Sequence, residues 1–145
     1  MATKVQVVFD CADPDAQSRF WCEALHYVTP DPPPPHATWE DFARAEGIPE
    51  EHWNDQSAAE DPDGAGPRLF FQKVPEGKVA KNRMHLDLNA GGGRSVPLDE
   101  RRQRVDAEVE RLKALGATDE RGAMERGDEY WVRVNDPEGN EFCVQ

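Results

Sequence analysis

The chain has 145 residues, a formal net charge of −12 and a sequence pI near 4.7, and only 26 residues are Leu, Ile, Val or Phe. This composition borders on that of disordered chains. It also lacks the electrostatic character of a nucleic-acid binder. No run of about 18 apolar residues predicts a membrane span, and no secretory signal is recognisable, so we expect a cytoplasmic protein.

The acidity and the shortage of apolar residues are concentrated in one segment, residues 29–67. This segment has ten acidic residues against one basic residue, 8 of the 12 prolines, and only Phe42 and Ile48 from the apolar set counted above. The rest of the chain is nearly charge-balanced and has an ordinary apolar content. The composition therefore predicts a single folded domain over residues 1–145 with an acidic, Pro-rich insert at 29–67.

The first half of the chain predicts a strand, a helix and a second strand. Residues 5–10 are mostly β-branched or aromatic, which is typical of a strand. Asp13 and Pro14 supply an N-cap and a first-turn proline for a helix over residues 14–25. After the insert, residues 69–72 predict another short strand.

The second half repeats this order. Residues 83–89 alternate between polar and apolar side chains, which predicts a half-buried strand. A helical apolar face begins at Leu98 and ends before Gly116, a residue suited to a helix C-cap. Two short strands are then predicted at 129–135 and 141–145.

An internal repeat connects the two halves. Residues 61–64 read Asp-Pro-Asp-Gly and residues 136–139 read Asp-Pro-Glu-Gly, and each turn sequence precedes a short apolar strand. Each also follows a strand and a helix. Two related modules, module one at about 1–75 and module two at about 82–145, therefore account for the chain.

Three segments resemble the vicinal oxygen chelate superfamily, which includes glyoxalases, bleomycin-resistance proteins and extradiol dioxygenases. They are the opening VQVVFDCADPDAQSRFWCEAL, the central NRMHLDLN and the closing WVRVNDPEGNEFCV. The resemblance implies an α+β fold in which two βαβββ modules form paired curved mixed sheets around a cleft, with the helices outside. It also implies a homodimer, and the most similar subgroup is the glyoxalase-like proteins.

Metal-dependent members of this superfamily place one ligand on the first and one on the last strand of each module, usually His or Gln, then Glu, His and Glu. By the resemblance and the internal repeat, these positions are Gln6, Phe70, His85 and Cys143. One amide, one imidazole and one thiol make a poor catalytic metal site. A shift in strand register would bring in Gln72 or Glu141, and neither restores the ligand set. We therefore expect no metal and no other cofactor.

His85 has two interpretations. On a cleft wall it would serve as a general base or a hydrogen-bond donor, because the ordinary pKa of histidine lies near neutrality. Alternatively, it is a structural residue held by hydrogen bonds to neighbouring strands. Cys143 would form a Cys–His pair with it, but the sequence indicates no third group to orient the pair. His85 is therefore the candidate catalytic residue.

Aromatic and polar residues of the strands and the insert form a candidate pocket for a small molecule. Alternation places Trp131 and Arg133 on the face opposite Val132 and Val134. The two tryptophans of the insert either contribute to the pocket or anchor a segment that has few other apolar side chains. The candidate ligand-binding residues are Gln6, Phe70, Gln72, His85, Trp131, Arg133, Cys143, Trp39 and Trp53.

The sequence thus predicts a glyoxalase-like small-molecule binding protein or a metal-independent enzyme, and it leaves open whether a reaction is catalysed. Two alternatives remain, a metal-dependent lyase, isomerase or dioxygenase of the vicinal oxygen chelate type and a drug-sequestering resistance protein. If the acidic insert borders the cleft, its field favours a cationic or aromatic ligand. We expect no nucleic-acid partner and no membrane partner.

Overall fold

The computed structural model describes residues 1–119 and 121–145, which form two compact units, Met1–Gly77 and Lys78–Gln145. In each unit a long helix packs on a mixed β-sheet, with three strands in the first sheet and four in the second. This confirms the predicted α+β class. Within the described ranges, no helix is both long enough and apolar enough to cross a membrane.

The sheet of the first unit has the strand order β1-β3-β2. Strand β1 (Gln6–Cys11) is parallel to β3 (Arg68–Lys73), and β2 (Gln56–Ala59) is antiparallel to β3. Helix α1 (Pro14–Leu25) packs on β2 and β3. The described part of this unit therefore has three strands, against the four that the resemblance implies for a module.

Helix α1 has the predicted bounds because its N-terminus is capped locally. The Asp13 carboxylate accepts a hydrogen bond of 3.1 Å from the backbone N–H of Ala16. The helix buries Trp21, whose ring centroid is 5.2 Å from that of Phe9 on β1. Phe9 in turn stacks on Phe71 of β3 at 5.2 Å. These aromatic contacts join the helix to both parallel strands and form the centre of the first core.

The acidic insert contains regular structure. It forms helix α2 (Trp39–Ala45), a short 3-10 helix (Glu50–His52) and strand β2. The sequence Gln-Ser-Ala-Ala of β2 has little intrinsic strand propensity, so this strand was not predicted. It forms because it pairs with β3 and buries Ala58 and Ala59, which are 5% and 0% exposed.

The sheet of the second unit has the order β4-β7-β6-β5. Strand β4 (Asp87–Leu88) is parallel to β7 (Glu141–Val144), whereas β6 (Glu129–Asn135) is antiparallel to both β7 and β5 (Ala123–Arg126). Helix α3 (Leu98–Leu115) packs on β6 and β7. This unit has the complete βαβββ order of elements.

Helix α3 also has its predicted bounds. Val105, Val109 and Leu112 are buried along one face. Gly116 ends the helix with a φ of 116°, a left-handed conformation that favours glycine. The strand predicted at 83–89 is shorter than expected, because Met84 at its start is exposed and only residues 87 and 88 form the parallel ladder.

The two Asp-Pro-x-Gly turns have the same internal chemistry. The Asp61 carboxylate accepts hydrogen bonds from the backbone N–H groups of Asp63 (2.9 Å) and Gly66 (2.6 Å). The Asp136 carboxylate accepts from the backbone N–H groups of Glu138 (3.0 Å) and Asn140 (2.9 Å). The sequence repeat is thus matched by a repeated turn structure.

Glu141, at the start of β7, holds the segment that enters the second unit. Its carboxylate accepts a 3.0 Å hydrogen bond from the backbone N–H of Asn82 and lies 3.0 Å from Lys78 Nζ. Burial opposes ionisation of this carboxylate, but these two interactions together outweigh it and lower the pKa of Glu141 to about 2.

This pKa predicts an acid-dependent contribution to stability. The folded pKa lies below the ordinary value of 4.5, so the contribution is complete above that value and is lost as pH falls toward 2. We expect Glu141→Gln to lower the melting temperature at pH 7, and the difference from the unaltered protein to shrink as pH falls from about 5. Circular dichroism melts across this range measure the effect, with Glu76→Gln, at an exposed acid, as control. A difference that does not change with pH would contradict the assignment.

Candidate functional site

The second unit contains a pocket of about 450 Å³. Its lining comes from strands β5, β6 and β7, from residues in and on either side of β4, from the loop that precedes α3, and from α3 itself. Among the lining residues are His85, Asp87, Trp131 and Cys143. The pocket therefore combines an aromatic ring with groups that bind protons or metals.

Strand pairing brings three of these groups together. Asp87 on β4 is the register partner of Cys143 on β7, and His85 lies two residues before Asp87. A ligand atom from each of the three side chains lies within 4.8 Å of the other two. His85 Nε2 is 3.4 Å from Asp87 Oδ1. One nitrogen, one oxygen and one sulfur donor thus lie close together in the lining of the pocket.

The environment of Cys143 favours the protonated thiol. Burial raises the pKa of Cys143, and the nearby Asp87 carboxylate, which also hydrogen-bonds to the thiol, raises it further. Arg133 acts in the opposite direction but does not reverse the shift. A cysteine nucleophile needs a lowered pKa, so this arrangement does not support a nucleophilic Cys–His pair.

We expect slow alkylation of Cys143 by iodoacetamide at pH 8 and severalfold faster alkylation in Asp87→Asn, because removing the carboxylate lowers the pKa of the thiol. Mass spectrometry of the Cys143 peptide over time measures the rate. Cys22, a half-buried thiol in the first unit, is the internal control in both proteins. An unchanged ratio of the two rates would show that Asp87 does not control the thiol.

Three arginines contribute to the lining of the pocket of the second unit. Arg94 and Arg126 both pair with the Glu129 carboxylate, at 3.1 and 3.2 Å, and the Arg126 guanidinium lies 6.0 Å from the centre of the Trp131 ring. Arg101 on α3 is the third. These three cations outnumber the two carboxylates of the lining, those of Asp87 and Glu129.

The first unit contains a separate pocket of about 730 Å³. The insert supplies much of its lining, including Trp39, Phe42 and Trp53, and strand β3 supplies Phe70. Its charged lining residues are mainly acidic. The two units thus present pockets of different character.

The structure divides the candidate ligand-binding residues between these pockets. His85, Trp131 and Cys143 line the pocket of the second unit, and Phe70, Trp39 and Trp53 line that of the first. The described residues place Gln6, Gln72 and Arg133 in neither lining. Gln6 accepts a 2.7 Å hydrogen bond from Arg68, and Gln72 donates one of 2.7 Å to Asp10.

The four metal positions implied by the resemblance do not make a common ligand set. Phe70 has no ligand atom, and the carbonyl oxygen of Gln6 already accepts from the Arg68 guanidinium. The same guanidinium lies 5.5 Å from the centre of the Phe70 ring, so a metal ion there would meet positive charge. His85, Asp87 and Cys143 form a different set within the second unit, and their donors suit a transition metal such as zinc.

Asp87 and the three pocket arginines were missed by the sequence reasoning. A signal for Asp87 was available, because alternation places it on the same strand face as His85. The arginines come from a loop, from α3 and from β5. Their convergence depends on the β5–β6 hairpin, for which the two-residue Gly127-Asp128 turn was an available signal that the sequence reasoning did not use.

Comparisons with known proteins agree with this architecture. A family model described as a glyoxalase-like domain matches residues 6–145. No curated protein matches the sequence.

Among solved structures, a glyoxalase/bleomycin resistance protein/dioxygenase family enzyme from Burkholderia phytofirmans is 16% identical, with a TM-score of 0.60 over 96% of this chain and 94% of the other. A possible glyoxalase from Bacillus cereus is 17% identical, with a TM-score of 0.60 over 100% and 99%. A mutant of the fosfomycin resistance protein FosX from Listeria monocytogenes, complexed with Mn(II) and 1S,2S-dihydroxypropylphosphonic acid, is 12% identical, with a TM-score of 0.62 over 100% and 90%. At these identities the likeness concerns the fold.

Proposed function

The chain belongs to the glyoxalase-like domain family of the vicinal oxygen chelate superfamily, and we propose that its second unit binds a small organic ligand that carries an anionic group. The supporting observation is that Trp131, His85 and three arginines share one concave surface. Aromatic walls with a few polar groups are typical of small-molecule sites. Binding of this kind would suffice for a sequestering protein, in which no bond is broken.

Each group in this pocket has a distinct role in the proposal. Arg94 and Arg126 attract the anionic group, since a guanidinium presents a planar fork of donors that fits carboxylates and phosphonates. Trp131 offers its ring to the apolar part of the ligand. The Listeria relative, solved with a phosphonic acid, is consistent with an anionic ligand class.

His85 is the residue best placed to move a proton if the bound molecule is also converted. The Asp87 carboxylate, 3.4 Å from Nε2, favours one orientation of the imidazole. The ring would then serve as a general acid or base without a metal. This is the metal-independent enzyme predicted from the sequence, and it uses the same pocket.

Phenylphosphonate is a suitable probe because it combines a ring with an anionic group. We expect it to bind, and Trp131→Ala to weaken binding roughly tenfold because one aromatic wall is lost. Arg126→Gln should also weaken binding, with a larger effect at low salt. Isothermal titration calorimetry measures the affinities.

Arg121→Gln removes an exposed arginine outside the pocket and controls for net charge. Benzyl alcohol is the neutral control ligand. Equal affinity for the two ligands, or equal effects of Arg121→Gln and Arg126→Gln, would contradict the proposal.

The cluster of His85, Asp87 and Cys143 favours a second candidate function, a metal-dependent lyase, isomerase or dioxygenase. These three side chains would hold the ion, which leaves a tetrahedral centre one further position. When bound, such an ion supplies Lewis-acid catalysis. Arg94 and Arg126 would still orient an anionic substrate in the same pocket.

Elemental analysis of protein purified without chelator separates the two candidates. If the metal-dependent function is correct, we expect about one equivalent of a transition metal per chain. The metal should be lost in His85→Ala and in Asp87→Asn, and it should be kept in the control variant Cys22→Ser. Added Co²⁺ should then show thiolate-to-cobalt charge-transfer absorption that depends on Cys143. Protein that neither contains a metal nor takes up Co²⁺ would exclude this function and leave the first.

Two properties implied earlier stay predictions. The resemblance implies a homodimer, and a cytoplasmic location is an expectation from the sequence. We include both in the proposal.

A further inference from the structure

The pocket of the first unit has an unusual combination of rings and acids. Four aromatic side chains line it, those of Trp39, Phe42, Trp53 and Phe70. Three carboxylates, those of Asp15, Glu40 and Asp55, accompany them. Among the described lining residues, the basic side chains are those of Arg68 and His52. A concave surface of this composition suits a ligand that is both apolar and positively charged.

The two tryptophans are fixed by the backbone of the insert. Trp39 Nε1 donates a 2.8 Å hydrogen bond to the carbonyl of Pro30, and Trp53 Nε1 donates one of 2.9 Å to the carbonyl of Ile48. Trp39 also contacts Phe42 edge to face, with ring centroids 5.6 Å apart. Both indole N–H groups are therefore used, and what a ligand meets is a ring face whose orientation is already set.

The hydrogen bond that anchors Trp39 does not bury its ring. Trp39 remains 44% exposed although it is one of the largest apolar side chains of the insert. A side chain needed only as an anchor gains most when it is covered. The exposed indole in a concave surface is thus available to a ligand as well as serving to hold the insert.

Charge around the pocket favours a cation. The insert carries ten acids against one base. Asp55 pairs with His52 at 2.8 Å, whereas no basic side chain in the described ranges lies within ion-pair distance of Glu40, next to Trp39 in the chain. An acidic concave surface raises the local concentration of cations.

Two arginines of the protein already place their guanidinium groups near rings of this pocket. The Arg44 guanidinium lies 4.9 Å from the centre of the Trp53 ring, and that of Arg68 lies 5.5 Å from the centre of the Phe70 ring. Each arginine is also paired with a carboxylate, that of Asp41 or Glu60. The ring of Trp39 differs from these two. It keeps an exposed surface, and the acid next to it, Glu40, has no ion pair in the described ranges.

We infer that the pocket of the first unit binds an organic cation of the quaternary ammonium class, against the exposed ring of Trp39 and close to the carboxylate of Glu40. Methyl groups of such a cation are apolar and carry part of the positive charge, so they suit ring faces better than a hydrated metal ion does. All the residues involved lie in the first unit. The inference therefore does not depend on the proposed function of the second.

Choline and benzyltrimethylammonium are the probes, and 3,3-dimethylbutan-1-ol is the neutral isostere of choline. We expect both cations to alter tryptophan fluorescence at low salt and to bind more weakly as salt rises. The isostere lacks the positive charge and therefore loses the cation–π attraction. We expect its affinity to be at least roughly two- to fivefold lower than that of choline, the effect of this attraction at a partly exposed ring. Failure of both cations to bind, or equal binding of choline and its isostere, would overturn the inference.

Variants then locate the site. Glu40→Gln should weaken choline binding roughly two- to fivefold, whereas Glu46→Gln, which removes an exposed acid of the same insert outside the pocket, should have a smaller effect. Trp39→Leu should abolish the response and Trp39→Phe should retain part of it. Circular dichroism checks the fold of each variant. Because Glu40→Gln leaves all rings in place, equal effects of the two glutamine variants would overturn the inference even if Trp39→Leu fails to fold.

Discussion

The structure depends on one kind of long-range interaction, the parallel pairing of the first and last strands of each unit. Parallel neighbours need a crossover connection, and a helix supplies it in both units. The pairing brings Gln6 beside Arg68 in the first unit and Asp87 beside Cys143 in the second. Residues from opposite ends of each unit thus become neighbours, and the chemistry of each sheet is decided by these pairs.

The same pairing has different consequences in the two units. In the first, the Arg68 guanidinium donates a hydrogen bond to the carbonyl oxygen of Gln6 and lies over the Phe70 ring, so the two metal positions that the resemblance implies for this unit lie beside a cation of the protein itself. In the second, a carboxylate faces a buried thiol and an imidazole lies within reach of both. A strand pairing that both units share is therefore compatible with unlike chemistry in the two units, because the fold fixes which positions meet and not which side chains occupy them.

The elements of the fold that could be predicted from the sequence are those whose signals lie within a few residues of one another. Helices α1 and α3 have their predicted bounds because Asp13 and Gly116 cap them with contacts inside a few residues. Strands β2 and β5 were missed, since their residues form strands only through pairing with β3 and β6.

For the site, the resemblance selected His85, and alternation along a single strand selected Trp131. This reasoning considered each strand by itself. It was not enough to show that the loop before α3 and the β5–β6 hairpin bring arginines to the same pocket, since that depends on contacts between distant segments.

The composition of the insert shows why a segment with so few apolar side chains can still form regular structure. Its aromatic side chains each make more than one contact. Trp39 donates a hydrogen bond to the backbone and packs on Phe42, and Phe42 also contacts the His36 ring. Helix α2 adds a cap, in which Thr38 accepts from the backbone N–H of Asp41. Polar contacts of this kind leave the acidic side chains in solvent, where their charge costs little. Most of the net charge that made the whole chain resemble a disordered protein therefore lies in a folded segment. There it makes the charged lining of the first-unit pocket mainly acidic.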